Sequence, residues 1–110
     1  MNLNEMAVRC AANSKAHGFH DKVQTFGDYI ALMHSELSEA LEAFRDGAGY
    51  ADVLTDVING KPEGIPCELA DVIIRILDFC GRYEVDIQEA VEAKMAYNST
   101  RPHLHGGKLL

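Results

Sequence analysis

The chain has no tryptophan, three prolines and three cysteines in 110 residues, and ten lysines and arginines against seventeen acids leave it at −7. Each shortage excludes something. A surface this poor in cations argues against broad, non-specific binding to nucleic acid. Cys10, Cys67 and Cys80 are odd in number, form no CxxC and have no close histidine partner. They read as reduced core thiols of a cytoplasmic protein, not as a disulfide framework or a zinc site. No apolar run is long enough to span a bilayer. The opening Met1-Asn2-Leu3-Asn4-Glu5 lacks the basic and apolar regions of a signal peptide, so no membrane partner is expected. A di-iron carboxylate bundle needs ExxH on two helices, and no ExxH occurs. No convincing Ser-His-Asp or Cys-His set is present either.

What is there is a single apolar domain, residues 1–110, with 47% hydrophobic side chains. Its chemistry concentrates between His34 and Asp78, where two carboxylate pairs sit at helical spacing: Glu36 with Glu39, and Glu68 with Asp71. At about 100° per residue, Glu36 projects into the apolar sector formed by Tyr29, Leu32, Ala40 and Ala43, while Glu39 stands at its edge and Glu42 points away. On the second helix Glu68, Asp71, Arg75, Asp78 and Arg82 share a polar arc of roughly 80° on an otherwise apolar cylinder.

One ExxE on a helix is ordinarily a solvated face. Two pairs on apolar helices are different. Two carboxylates about 5 Å apart repel by roughly 3 kcal/mol at an effective dielectric near 20, and several such pairs rival the stability of a domain. A cluster of that kind protonates or holds a metal ion.

The pattern predicts an all-α, four-helix bundle-like fold. The first helix is capped by Asn2 or Asn4 and stopped by Gly18. The second runs from about Thr25 to Asp46, with apolar positions 26, 30, 33, 37, 40 and 44 alternating in steps of four and three, the seam of a helix packed nearly antiparallel on another. Tyr50–Ile58 reads as one or two turns of amphipathic helix, and Asn59-Gly60-Lys61-Pro62-Glu63-Gly64 as a turn. Pro66 opens the third helix, which ends near Gly81. Asp86 caps the fourth, with Glu89 completing a capping box. Lys94 and Asn98 fall on the apolar face of this last helix, where a buried lysine needs an anionic partner; the alternative is a lysine that snorkels to the helix edge. Residues 99–110 form a basic tail carrying Arg101, His103, His105 and Lys108, in which Pro102 and the glycines exclude helix. Apolar surface on several faces of four short helices predicts a homo-oligomer, a dimer or a tetramer built as a dimer of dimers.

Glu36-x-x-Glu39, a spacer, then Glu68-x-x-Asp71, followed by Lys94-Met95-Ala96-Tyr97-Asn98-Ser99-Thr100-Arg101-Pro102 and His105-Gly106-Gly107-Lys108, resembles the MazG-like all-α nucleoside triphosphate pyrophosphohydrolases. The likeness covers Phe26 to Lys108. The spacer between the pairs is long, and the aromatics around Phe19 and His20 are fewer than in many relatives. The resemblance implies hydrolysis of a nucleoside triphosphate to the monophosphate and pyrophosphate. It implies Mg²⁺, with Mn²⁺ as a substitute, on Glu36, Glu39, Glu68 and Asp71. Glu36 and Glu39 are the catalytic candidates, Glu39 orienting or deprotonating the water. Lys94, Asn98, Arg101 and Lys108 would contact phosphate. The alternatives are a dUTPase-like or phosphoribosyl-ATP-cleaving specificity within the family, and a non-catalytic helical oligomer outside it.

Overall fold

The computed structural model describes residues 1–22 and 24–102. It is mostly helical: α1 spans Leu3–Ala16, α2 Phe26–Arg45, α3 Ile65–Arg82 and α4 Ile87–Ser99, with a single 3₁₀ turn at Phe19–Asp21. Local chemistry sets these boundaries. Asn2 caps α1 by accepting from the Glu5 amide, and Gly18, at φ 82°, turns the chain out of it. Thr25 and Asp28 form a reciprocal capping box on α2. Pro66 sits in the first turn of α3, and Asp86 accepts from the Glu89 amide to start α4.

Tyr50–Ile58 is not helical. Leu54–Thr55 (β1) pairs antiparallel with Pro62–Glu63 (β2), with Leu54 opposite Glu63. The Asp56 side chain accepts from the amides of Ile58 and Asn59, drawing them away from a helical ladder. Gly60 then takes φ 70°, and the Asp56 amide closes the loop on the Lys61 carbonyl. A segment whose apolar spacing suits a helix is thereby made into a hairpin arm.

α3 lies between α1 and α2 and packs on both. Small residues bring α1 and α3 close: a Cβ added at Gly81 would meet the Ala7 carbonyl and the Ala11 Cβ. Ala7, Leu77 and Cys80 form the buried centre, with Leu3, Cys10, Ile76, Phe79 and Ile87 against it. α4 is docked mainly at its start. The Leu3 amide donates to Gln88 Oε1 at 2.9 Å, and Asn4 Nδ2 donates to Asp86 Oδ1 at 2.8 Å. Beyond that first turn α4 is exposed along its length. On the other side of α3, Phe79 packs edge-on to the buried Tyr29 with ring centres 5.1 Å apart, fixing the phase of α2 on α3. No helix of the described residues is long and apolar enough to cross a membrane.

Candidate metal centre

With α2 and α3 side by side, Glu36 meets Glu68 and Asp71. One ligand oxygen from each lies within 4.8 Å of the other two. The wheel places Glu36 towards apolar neighbours, and its side chain is 14% exposed. Arg75, one turn beyond Asp71, crosses to it: Nε donates to Glu36 Oε1 at 2.9 Å.

The electrostatics are those of crowded like charges. The Glu68 carboxyl is pushed above its usual value by loss of solvent first, then by the charges of Asp71, Glu36 and Glu39, with Lys61 opposing. Asp71 is raised by desolvation and by Glu36, against Arg75 and Lys61. Both acids are costly to ionise in the metal-free fold, and both costs fall if positive charge is added between them. Three carboxylates converging from two helices supply hard oxygen donors of the kind Mg²⁺ takes, so the donor set fits that ion.

Beside the acids opens a cavity of about 260 Å³, just below the usual range of small-molecule clefts of roughly 300–1,000 Å³. Glu36, Asp71 and Arg75 line it together with the apolar Leu32 and Ile74, and Asn13 of α1, Phe19 and Gln24 also contribute to its wall. Asp78 also faces it and is engaged by His20, whose Nε2 lies 2.7 Å from Asp78 Oδ1. Behind them Arg82 donates to the Tyr29 hydroxyl at 2.7 Å and to the His20 carbonyl at 3.3 Å, which ties the 3₁₀ turn to α2 and α3.

The sequence-selected residues separate into groups. Glu36, Glu68 and Asp71 come together. Glu39 is exposed one turn on from Glu36, outside the converging set, and shares a second, more open groove with Glu68, Glu42 and Lys61. Lys94 is not buried. It is exposed, with Nζ 5.5 Å from the centre of the Tyr97 ring, and Arg101 lies over the same ring at 5.8 Å. Asn98 is exposed as well. Among the described residues no hydrogen bond or ion pair joins Lys94, Asn98 or Arg101 to the acids. Lys108, His103 and His105 lie outside the described residues.

Two cations near the acids were not singled out from sequence. Arg75 carried a signal, being four residues after Asp71 on the same polar arc. Lys61 carried none, because only the β1–β2 hairpin, which is not legible as such, brings its charge to bear on Glu68 and Asp71. Comparison of the chain with protein-family models, with curated proteins and with solved structures returned no match.

Proposed function

We propose that the protein is a Mg²⁺-dependent nucleoside triphosphate pyrophosphohydrolase of the MazG-like all-α type, releasing the monophosphate and pyrophosphate. The observation that supports this most is the convergence of Glu36, Glu68 and Asp71 beside a cavity that also presents Arg75. These three acids hold the cation, and bound there it supplies positive charge opposite the phosphate oxygens of the substrate. Glu39, exposed and on the groove shared with Glu68, is placed to accept a proton from water at the rim. Arg75 and Lys61 add positive charge beside the acids. The cavity, with Leu32, Ile74 and Phe19 among its lining residues, would take part of the nucleotide beside the acids.

Assembly as a dimer or a dimer of dimers belongs to the same proposal. Leu37, Leu41 and Phe44 on α2 and Ile73 on α3 are about half exposed, at 46–51%. At the hairpin Val57 and Ile58 are 97% and 93% exposed, apolar side chains that a neighbouring copy would cover. In an oligomer, Lys94, Asn98 and Arg101 would serve as phosphate contacts in the site of a neighbouring copy.

The test is product analysis. Incubated with Mg²⁺ and a panel of nucleoside triphosphates, the protein should yield monophosphate and pyrophosphate by phosphorus NMR. Diphosphate with orthophosphate, or no turnover of any nucleotide, would overturn the reading.

A further inference from the structure

Among the described residues, Arg75 is the only cationic side chain lining the cavity. Its Nε holds Glu36, and among the described residues neither terminal guanidinium nitrogen has a hydrogen-bond partner. Most of the fork is therefore unused while it faces a space large enough for a ligand. The arginine side chain is 38% exposed against 14% for Glu36, so the guanidinium is the partner with room to move.

Charge decides when it would move. The three converging acids bring three negative charges, Glu39 adds a fourth that bears on Glu68, and Arg75 and Lys61 oppose them with two positive ones. The metal-free site is thus short by two positive charges, and a divalent cation would supply those two while competing with Arg75 for Glu36. Asp78, the third acid on the cavity wall beside Glu36 and Asp71, is already engaged by His20. A site whose negative excess is cancelled and whose arginine fork is released accepts an anion, and phosphate oxygens match that fork.

We propose that Arg75 is an exchangeable counter-ion: it holds Glu36 in the metal-free protein and passes to the ligand's phosphate group once a divalent cation is bound. This rests on the metal-centre reading above and adds a phosphate contact on α3, independent of the α4 and tail residues. It also orders the events. Phosphate binding is weak without the cation, because Arg75 is occupied and the site is negative.

Two probes test it on the full-length protein: Mn²⁺ alone, followed by electron paramagnetic resonance, and inorganic triphosphate, followed by calorimetry with and without Mg²⁺. Arg75→Gln should bind Mn²⁺ more tightly than wild type, because the competitor for Glu36 is gone. It should bind triphosphate in Mg²⁺ more weakly by about tenfold or more, the size expected for losing a charge-assisted hydrogen bond. A purely structural role would weaken both. Arg75→Lys, which keeps the charge without the fork, should leave Mn²⁺ affinity near wild type while recovering only part of the triphosphate affinity. If Arg75→Gln does not fold, the lysine variant decides alone. Unchanged triphosphate binding in either folded variant, or unchanged Mn²⁺ affinity in Arg75→Gln, overturns the role of Arg75 and leaves the metal centre standing. Failure of the wild-type protein to bind Mn²⁺ removes the metal centre and this inference together.

Discussion

Replacing Asp71 by Asn keeps the size of the side chain and removes one of the three converging charges. At the 4.8 Å limit of the cluster, two unit charges repel by ~0.9 kcal/mol in bulk water and by ~3.5 kcal/mol at an effective dielectric of 20. Asp71 feels Glu36, and Arg75 and Lys61 return part of that cost by attraction. Its raised pKa shows that repulsion and desolvation prevail. With solvent at the site, the gain in metal-free stability belongs near the lower figure. About 1 kcal/mol corresponds to a rise in Tm of about 4–6 °C for a domain of this length.

The dependence on pH carries the same sign. Folded Asp71 and Glu68 have pKa values above 3.8 and 4.5, their ordinary values. Between the ordinary and the raised value the folded state binds more protons than the unfolded chain, so these groups lower stability as pH rises through that window. Above it the loss is complete, and Asp71→Asn should abolish the Asp71 share. Asp86 works the other way: hydrogen bonds from the Asn4 side chain and the Glu89 amide lower its pKa, so its contribution is lost in acid. The informative quantity is therefore the difference between variant and wild type at each pH. Thermal unfolding in chelator and in saturating Mg²⁺ measures it. Asp71→Asn should be the more stable protein in chelator at neutral pH and should lose most of the Mg²⁺-dependent rise in Tm, which reports differential binding to the folded state. Glu36→Gln should gain less in chelator, because it also gives up the 2.9 Å bond to Arg75. Glu42→Gln is the control: its side chain is 60% exposed and meets Arg45 only at 3.9 Å, so both curves should match wild type. An Asp71→Asn protein that is less stable in chelator yet keeps the full Mg²⁺ response would refute the cluster.

Gly81→Val should destabilise the fold by about 1–3 kcal/mol through overpacking, because its first side-chain carbon already meets the Ala7 carbonyl and Ala11; chemical denaturation would show it as a lower midpoint at unchanged slope. Sedimentation should find a dimer or tetramer at micromolar concentration, and a stable monomer would refute the assembly reading of the exposed α2, α3 and hairpin side chains.

The helices are legible because their end signals are local. Asn2, Thr25 with Asp28, Pro66 and Asp86 each act on the backbone within three residues, so the chain itself states where each helix begins. The pairing of Glu36 with Glu68 and Asp71 is legible for a related reason. α2 meets α3 with the face that carries the buried Tyr29, and Glu36, two helical turns on from Tyr29, is brought by that same face to Glu68 and Asp71. The hairpin is not legible from spacing, since Tyr50, Val53, Leu54, Val57 and Ile58 satisfy a helical face. What overrides the spacing is the Asp56 carboxylate accepting two amides ahead of Asn59-Gly60, a competition that a count of apolar positions does not contain.

The cations show where this kind of reading stops. A helical wheel relates side chains within one helix, so Lys94 and Asn98 could be placed on a common face of α4, but not opposite any particular helix. α4 is fixed through Asn4, Gln88, Asp86 and Ile87 at its first turn, and beyond that its face meets solvent in the single chain. Arg75 needs no such tertiary assumption, because it shares α3 with Asp71 and Glu68 and is carried to Glu36 by the same packing that assembles the acids. The counter-charge most securely tied to an acidic cluster is thus the one on the cluster's own helix. A cation on another element, such as Lys94, reaches the acids only if a further contact brings it there, and under the assembly proposed above a second copy of the chain would supply that contact.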